Sequence, residues 1–193
     1  MGTSQADMEK NHERIVAIAA RMVREKGLDG IGVADLMKDA GLTHGGFYRH
    51  FGSREDLIDE AVECALGQWT KRAAGSDPKP SRKRFQAFVE EYLSVSHRNS
   101  PGNGCAVATL SGEAWRGGKR IRQAYTRQVK LYLALMEGVL GVRRRPTVRR
   151  DSILALSAVV GAVAMARSVD NDQLSRDILS CTGEALKSLL DRD

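Results

Sequence analysis

The chain has 193 residues, a formal net charge of +6 and only 5% aromatic residues. That length allows one domain or two small ones on a shared core. Sustained strand-type alternation is absent while the 3.6-residue period recurs from end to end, so a sheet protein is excluded and an all-α fold expected. Three widely spaced cysteines, Cys64, Cys105 and Cys181, argue against a disulfide framework, a zinc site or any other metal site. The basic excess suggests an anionic partner, but residues 1–55 hold eight Lys/Arg against eight Asp/Glu. The surplus lies beyond them, partly in basic runs at 82–84, 143–145 and 149–150 that read as solvated faces.

The first residues, MGTSQADMEKNHER, are polar and carry acids, unlike a signal peptide. The longest apolar run, at 153–166, is too short to span a bilayer. A cytoplasmic protein with no membrane partner is expected. The periodicity predicts a first helix from Glu13 to Lys26, with Ile15, Ile18, Ala19, Met22 and Val23 on one face and Gly27 ending it. Val33, Leu36, Met37 and Ala40 predict a second helix of about two turns. Gly41 then stands where a tight turn needs a positive φ. A third short helix is predicted over Thr43 to His50. SRED at 53–56 matches a capping box opening a fourth, with Leu57, Ile58, Ala61, Val62 and Ala65 inward.

GSDPKPS at 75–81 reads as a break. Beyond it a helix is predicted near 82–98, then a loop, NSPGNGC, at 99–105, and a short helix to about Trp115, broken by Gly117 and Gly118. Longer helices should cover 119–141, 147–169 and 171–191, with Pro146 beginning one of them.

Two short helices joined through a glycine turn form a helix-turn-helix, whose second helix enters the DNA major groove. Residue types support this. Thr43 and His44 begin the second helix, where base edges are met. Tyr48 and His50 carry hydrogen-bond donors, and Arg49 and Arg54 carry charge, all suited to phosphate oxygens. Phe47 and Phe51 should anchor the helix inward. Gly45 and Gly46 are the anomaly, since each glycine costs a helix interior about 1 kcal/mol relative to alanine. Either the bare backbone lies close to DNA, or it lets the helix pack closely on its neighbour.

Residues 14–66 closely resemble the DNA-binding domain of the TetR (tetracycline-repressor-like) family of bacterial transcriptional regulators. The likeness rests on the AG turn at 40–41, FYRHF at 47–51 and SREDL at 53–57. It implies phosphate contacts at Tyr48, His50 and Arg54, and positions near bases at Thr43, His44 and Gly45. Three departures stand out. Arg54 occupies a position where Lys is commoner, and Ile31 and Gly32 lie where a Thr or Ser usually caps the second helix. Ala34 offers no long side chain to bases. The remainder resembles the family only in layout. The expected architecture is therefore a helix-turn-helix domain over residues 1–54 and a helical effector-binding and dimerisation domain over 55–193.

The likeness further implies a homodimer through the last two helices on palindromic double-stranded DNA, released by a small-molecule effector. SAVVGAVAMA at 157–166 is rich in small residues that let helices approach, and Leu174, Ile178, Leu179, Cys181, Leu186 and Leu189 follow on the last helix. Large side chains available to line an effector pocket are Phe88, Tyr92, Trp115, Tyr125, Tyr132 and Met136. Cys105 is a further candidate: opening a helix would favour its thiolate, although a small buried residue is the plainer reading. Cys64 and Cys181 fall within amphipathic helices and read as structural. A Cys105–His97 nucleophile and base pair has no third orienting group, so no enzyme is expected and no cofactor is implied.

Overall fold

Helix α1 (Gln5–Lys26) starts about two turns before the apolar periodicity does, because Ser4 and Asp7 form a reciprocal capping box ahead of it. It ends at Gly27, whose φ of 78° an L side chain rarely adopts. The structure is a computed structural model that describes residues 4–73, 81–140 and 147–189, so the prolines of the 75–81 break, the basic run at 143–145 and Pro146 lie outside the described residues. Helix α2 (Val33–Asp39) opens at Gly32 with no side-chain cap, as the missing Thr or Ser implied. Gly41 follows it with a φ of 66°, turning the chain back. His44–Arg49 is a 3₁₀ segment rather than an α-helix.

Ser53 caps α3 (Arg54–Ala73) by accepting the Asp56 N–H at 3.0 Å and donating to the Asp56 carboxylate at 2.8 Å. Leu57, Ala61, Val62 and Ala65 are then fully buried, and α3 packs on α1 and on α7 (Lys119–Leu140). The helix predicted over 82–98 is two. Helix α4 (Arg82–Tyr92) stops because Ser94 accepts the His97 N–H at 3.0 Å and so caps a separate α5 (Val95–Asn99). A 3₁₀ turn at Pro101–Asn103 leads to α6 (Ala106–Leu110), which ends one turn sooner than predicted. Its continuation to Gly117 is a run of tight turns.

Helices α8 (Val148–Ser168) and α9 (Asp172–Leu189) follow, and α8 packs between α7 and α9. No strand occurs among the described residues, and the buried apolar side chains form one core running from α1 to α9. With its flanking residues α8 reaches 21 residues and, by length and composition alone, is long and apolar enough to cross a membrane. Core helices of folded proteins meet the same measure of length and composition. Only 39% of its most apolar stretch is buried, and exposed Leu154 and Met165 give α8 an apolar face that the described residues leave uncovered.

Candidate nucleic-acid interface and inner polar cluster

The 3₁₀ geometry decides what His44–Arg49 presents, because side chains three apart eclipse one another along it. Phe47 points inward, 2% exposed, and stacks on buried Phe51 at 5.4 Å. One position on, Tyr48 stands 72% exposed, edge-on to Phe47 at 5.2 Å, and it shares its face with Gly45. Thr43, His44, Gly45 and Arg49 are exposed too, while Gly46 and His50 are half-buried.

Among the described residues a Cβ added at Gly45 would meet nothing within 4 Å, and at Gly46 it would make only ordinary contact with Met37 Cε at 3.5 Å and Thr43 Oγ1 at 3.6 Å. Neither glycine has a positive φ. Packing therefore does not demand the pair, and at Gly45 the bare backbone is turned outward. His50 lies 6.0 Å from His12, whose ring hydrogen-bonds the Glu60 carboxylate at 2.7 Å. Burial, then the neighbouring His12, then Arg49 lower the His50 pKa, so near neutral pH it offers a hydrogen bond rather than a charge.

Arg54 is placed differently from the expectation. Its Nη2 donates to the carbonyls of Leu28 at 3.0 Å and Asp29 at 3.3 Å, and its Nε donates to that of Ile31 at 3.3 Å. These bonds turn it toward the loop leading into α2, which it holds closed. No motif shows this, because the partners are backbone atoms more than twenty positions away.

Of the expected pocket residues, the fold brings Tyr92, Cys105, Tyr125 and Tyr132 together, with Phe88 ringed against Tyr92 at 5.3 Å and Met136 buried on α7. Trp115 is a correction. It is 66% exposed, with the Arg116 guanidinium 4.8 Å over its ring, because the chain has already left α6 and turned outward. Cys105 is fully buried and its Sγ lies 3.5 Å from the Tyr132 hydroxyl. The Tyr125 hydroxyl donates to the Val107 carbonyl at 3.0 Å. Burial, with Cys105 nearby, pushes Tyr125 up to about 12, and burial first, then Cys105 and Tyr132, raises Tyr92 well above the ordinary phenol value. Both phenols are neutral. Of the other cysteines, Cys64 is half-buried on α3 and Cys181 is exposed on α9.

Sequence reading brought His97 in only as a possible base for Cys105, and it missed Arg167. His97 Nε2 accepts the Cys105 backbone N–H at 2.9 Å, so its other nitrogen, Nδ1, carries the proton donated to the Tyr92 carbonyl at 2.6 Å. The imidazole thus meets the backbone of Cys105 and not its thiol, which removes the nucleophile and base pair. The Arg167 guanidinium donates to the carbonyls of His97 and Arg98 at 2.8 Å and 3.0 Å, and to Thr109 Oγ1 at 3.1 Å.

Burial dominates in lowering the His97 pKa, the bond to Tyr92 raises it, and Arg167 lowers it again. With a folded pKa below the ordinary value of about 6.5, the unfolded chain binds more protons between the two values. Stability is therefore complete above about pH 6.5 and falls as pH drops through that window. Chemical denaturation at pH 7.5 and 5.5, with His50→Gln to subtract the contribution of that residue, should show this loss. Equal stability at both values would contradict a His97 held neutral.

Residues 15–61 match the family model described as bacterial regulatory proteins, tetR family. An uncharacterized HTH-type transcriptional regulator of Mycobacterium tuberculosis, Rv0196, is 29% identical over 118 residues, covering 61% of this chain and 60% of the relative. The HTH-type transcriptional repressor NemR of Escherichia coli is 24% identical over 131 residues, 66% of each chain. The match thus spans about two thirds or less of the length of these relatives. A TetR transcriptional regulator from Chloroflexus aurantiacus superposes with a TM-score of 0.82 at 24% identity, covering 98% of both chains, which shows the same fold.

Proposed function

We propose that this chain, a member of the tetR family of bacterial regulatory proteins, a family of DNA-binding transcriptional regulators and not enzymes, is a repressor that grips a palindromic operator as a homodimer and releases it to a small-molecule effector. The observation that carries this reading is the outward bare edge at Gly45, set between Thr43 and His44 on one side and exposed Tyr48 on the other. Backbone there can approach base edges that a side chain would hold away. Tyr48, Arg49 and His50 serve the flanking phosphates, Thr43 and His44 read bases, and Gly46 keeps the edge slim. Arg54 acts chiefly by positioning α2, and specificity beyond the two readers comes from apolar contact and DNA shape.

Residues 1–54 form the DNA-reading part and 55–193 the effector and dimer part. A side-chain charge of zero over residues 1–55 makes a single copy a weak binder, and two-fold pairing doubles its contacts. Support for pairing through α8 and α9 comes from their exposed apolar stripes. Leu154 and Met165 are 51% and 55% exposed, with Gly161 open between them, and Leu174 at 49% and exposed Cys181 continue the face on α9. The effector reaches the Tyr92, Cys105, Tyr125 and Tyr132 cluster, with Phe88 and Met136 as apolar walls. It acts only to the extent that it favours the conformer whose two recognition segments no longer match successive grooves. Such a protein works in the cytoplasm, beside the chromosome.

Selection from a random duplex pool tests the reading. A palindrome preferred about a thousandfold or more over bulk DNA is expected, with affinity falling steeply as salt rises. Equal affinity for all duplexes would instead mark an architectural DNA binder.

A further inference from the structure

Two sets of contacts join the C-terminal end of α1 to the segment bearing Cys105, one on each side of that residue. Ahead of Cys105, the buried Arg24 donates from Nε to the Gly102 carbonyl at 2.7 Å and from Nη1 to the Ala65 carbonyl at 3.4 Å. The Glu25 carboxylate lies in the space that a Cβ on Gly102 would fill. Beyond Cys105, the Glu113 carboxylate accepts the Leu28 N–H at 2.7 Å, and its two oxygens lie 2.6 Å and 2.7 Å from where a Cβ on Gly27 would stand. At each end a glycine of one segment admits a carboxylate of the other. The loop held in this way, from Leu28 to Ile31, is the one whose carbonyls Arg54 ties down, and it leads directly into α2.

We propose that these contacts are a clamp through which the inner cluster sets the position of α2 and the recognition segment, with Arg24 and Glu113 as its positioning residues. The inference rests on the regulator reading above and adds a route separate from the continuous helix α3. Residues 105–108 and Leu110 are buried, with the Cys105 N–H held by His97 and the Val107 carbonyl held by Tyr125. Close-packed side chains shift together rather than singly, so an occupant displacing Cys105 or Val107 also carries Gly102 and Glu113. The two ends differ in kind. The Arg24 end is buried and acts as the pivot. The Glu113 end borders an open cleft of about 360 Å³ lined by Leu28, Arg54, Ile58, Glu113 and Ile121. Water can there take over the Leu28 N–H when Glu113 leaves, so release strands no buried donor.

Coupling between sites is reciprocal, so the operator should act back on the clamp, and no effector need be known to test it. Hydrogen exchange is measured on the full-length protein with and without the duplex recovered by selection. Duplex binding should slow exchange across residues 102–113 by about fivefold or more in the wild type. The same slowing is expected in Glu113→Gln, whose amide oxygen still accepts the Leu28 N–H. In Glu113→Ala the slowing should vanish, while the salt slope of duplex binding, a count of phosphate contacts, stays unchanged. A bound duplex that leaves 102–113 unaltered in the wild type, or an unchanged response in Glu113→Ala, overturns the clamp and leaves the regulator reading intact. Failure to recover any binding duplex overturns that reading and the clamp with it.

Discussion

Gly45→Leu is expected to lower operator affinity by about 100-fold or more, equivalent to roughly 2.7 kcal/mol, while leaving the thermal unfolding midpoint essentially unchanged. The two halves of this result have separate causes. Within the protein a new side chain at position 45 enters open space, since its Cβ meets nothing within 4 Å. The backbone there lacks a positive φ, so leucine is not strained either. At the DNA, the same side chain stands on the edge that must approach the bases. It shares that face with Tyr48, and hydrogen bonds from Thr43 and His44 weaken steeply once their partners are held beyond about 3.2 Å. Gly45→Ala should fall between the two, being the smallest spacer. Fluorescence anisotropy with the selected duplex reads the affinity, and calorimetry reads the stability. Full affinity in Gly45→Leu would show that the recognition segment does not approach DNA by this edge.

A second substitution of comparable effect lies at the opposite end of the chain. Gly161→Glu is expected to convert the protein to a folded monomer and to weaken operator binding by about a thousandfold, within the range that linking two weak sites supplies. Gly161 sits in α8 between exposed Leu154 and Met165, and a Cβ there also meets nothing within 4 Å. The isolated chain therefore has room for the change and gains helix propensity from it. A paired α8 would have to bury the new carboxylate without a partner, which costs several kcal/mol. Sedimentation separates monomer from dimer, and the reactivity of exposed Cys181 toward a thiol reagent gives an independent reading. A dimer that survives Gly161→Glu with unaltered affinity would move the interface away from α8.

These two glycines illustrate how far a sequence can be read. Gly45 attracted attention as an unfavourable residue in a short helix, and two explanations for it stood side by side. Close packing is not the reason for it, because a Cβ added there would meet none of the described residues within 4 Å. Gly161 was one small residue among many in an apolar run, and only the packing of α8 against α7 and α9 shows which side of that run is left bare.

Other features were legible for local reasons. The Ser53 cap, the Gly41 turn, the inward Phe47 and Phe51 and the absence of a cap at Gly32 each depend on residues within about one helical turn. The early start of α1 was equally local and was overlooked because its capping box precedes the apolar periodicity. The split between α4 and α5 turns on Ser94 in the same way. Arg54 shows the limit of matching a position to a role, since its charge suits phosphate while its geometry binds it to the loop before α2.

The all-α class, the order of most helices and the helix-turn-helix were determined by the sequence itself, because helical period, caps and turn residues act over about four positions. What the tertiary structure alone decided is which polar groups meet inside. Cys105 and Tyr132 are 27 positions apart, His97 and Arg167 are 70, and Leu28 and Glu113 are 85. Periodicity places each of them on a helix face or in a turn but ranks no distant pairing above another. That choice comes from how the helices of the described residues pack around one core, where a buried donor or acceptor left without a partner costs more than the bond itself contributes.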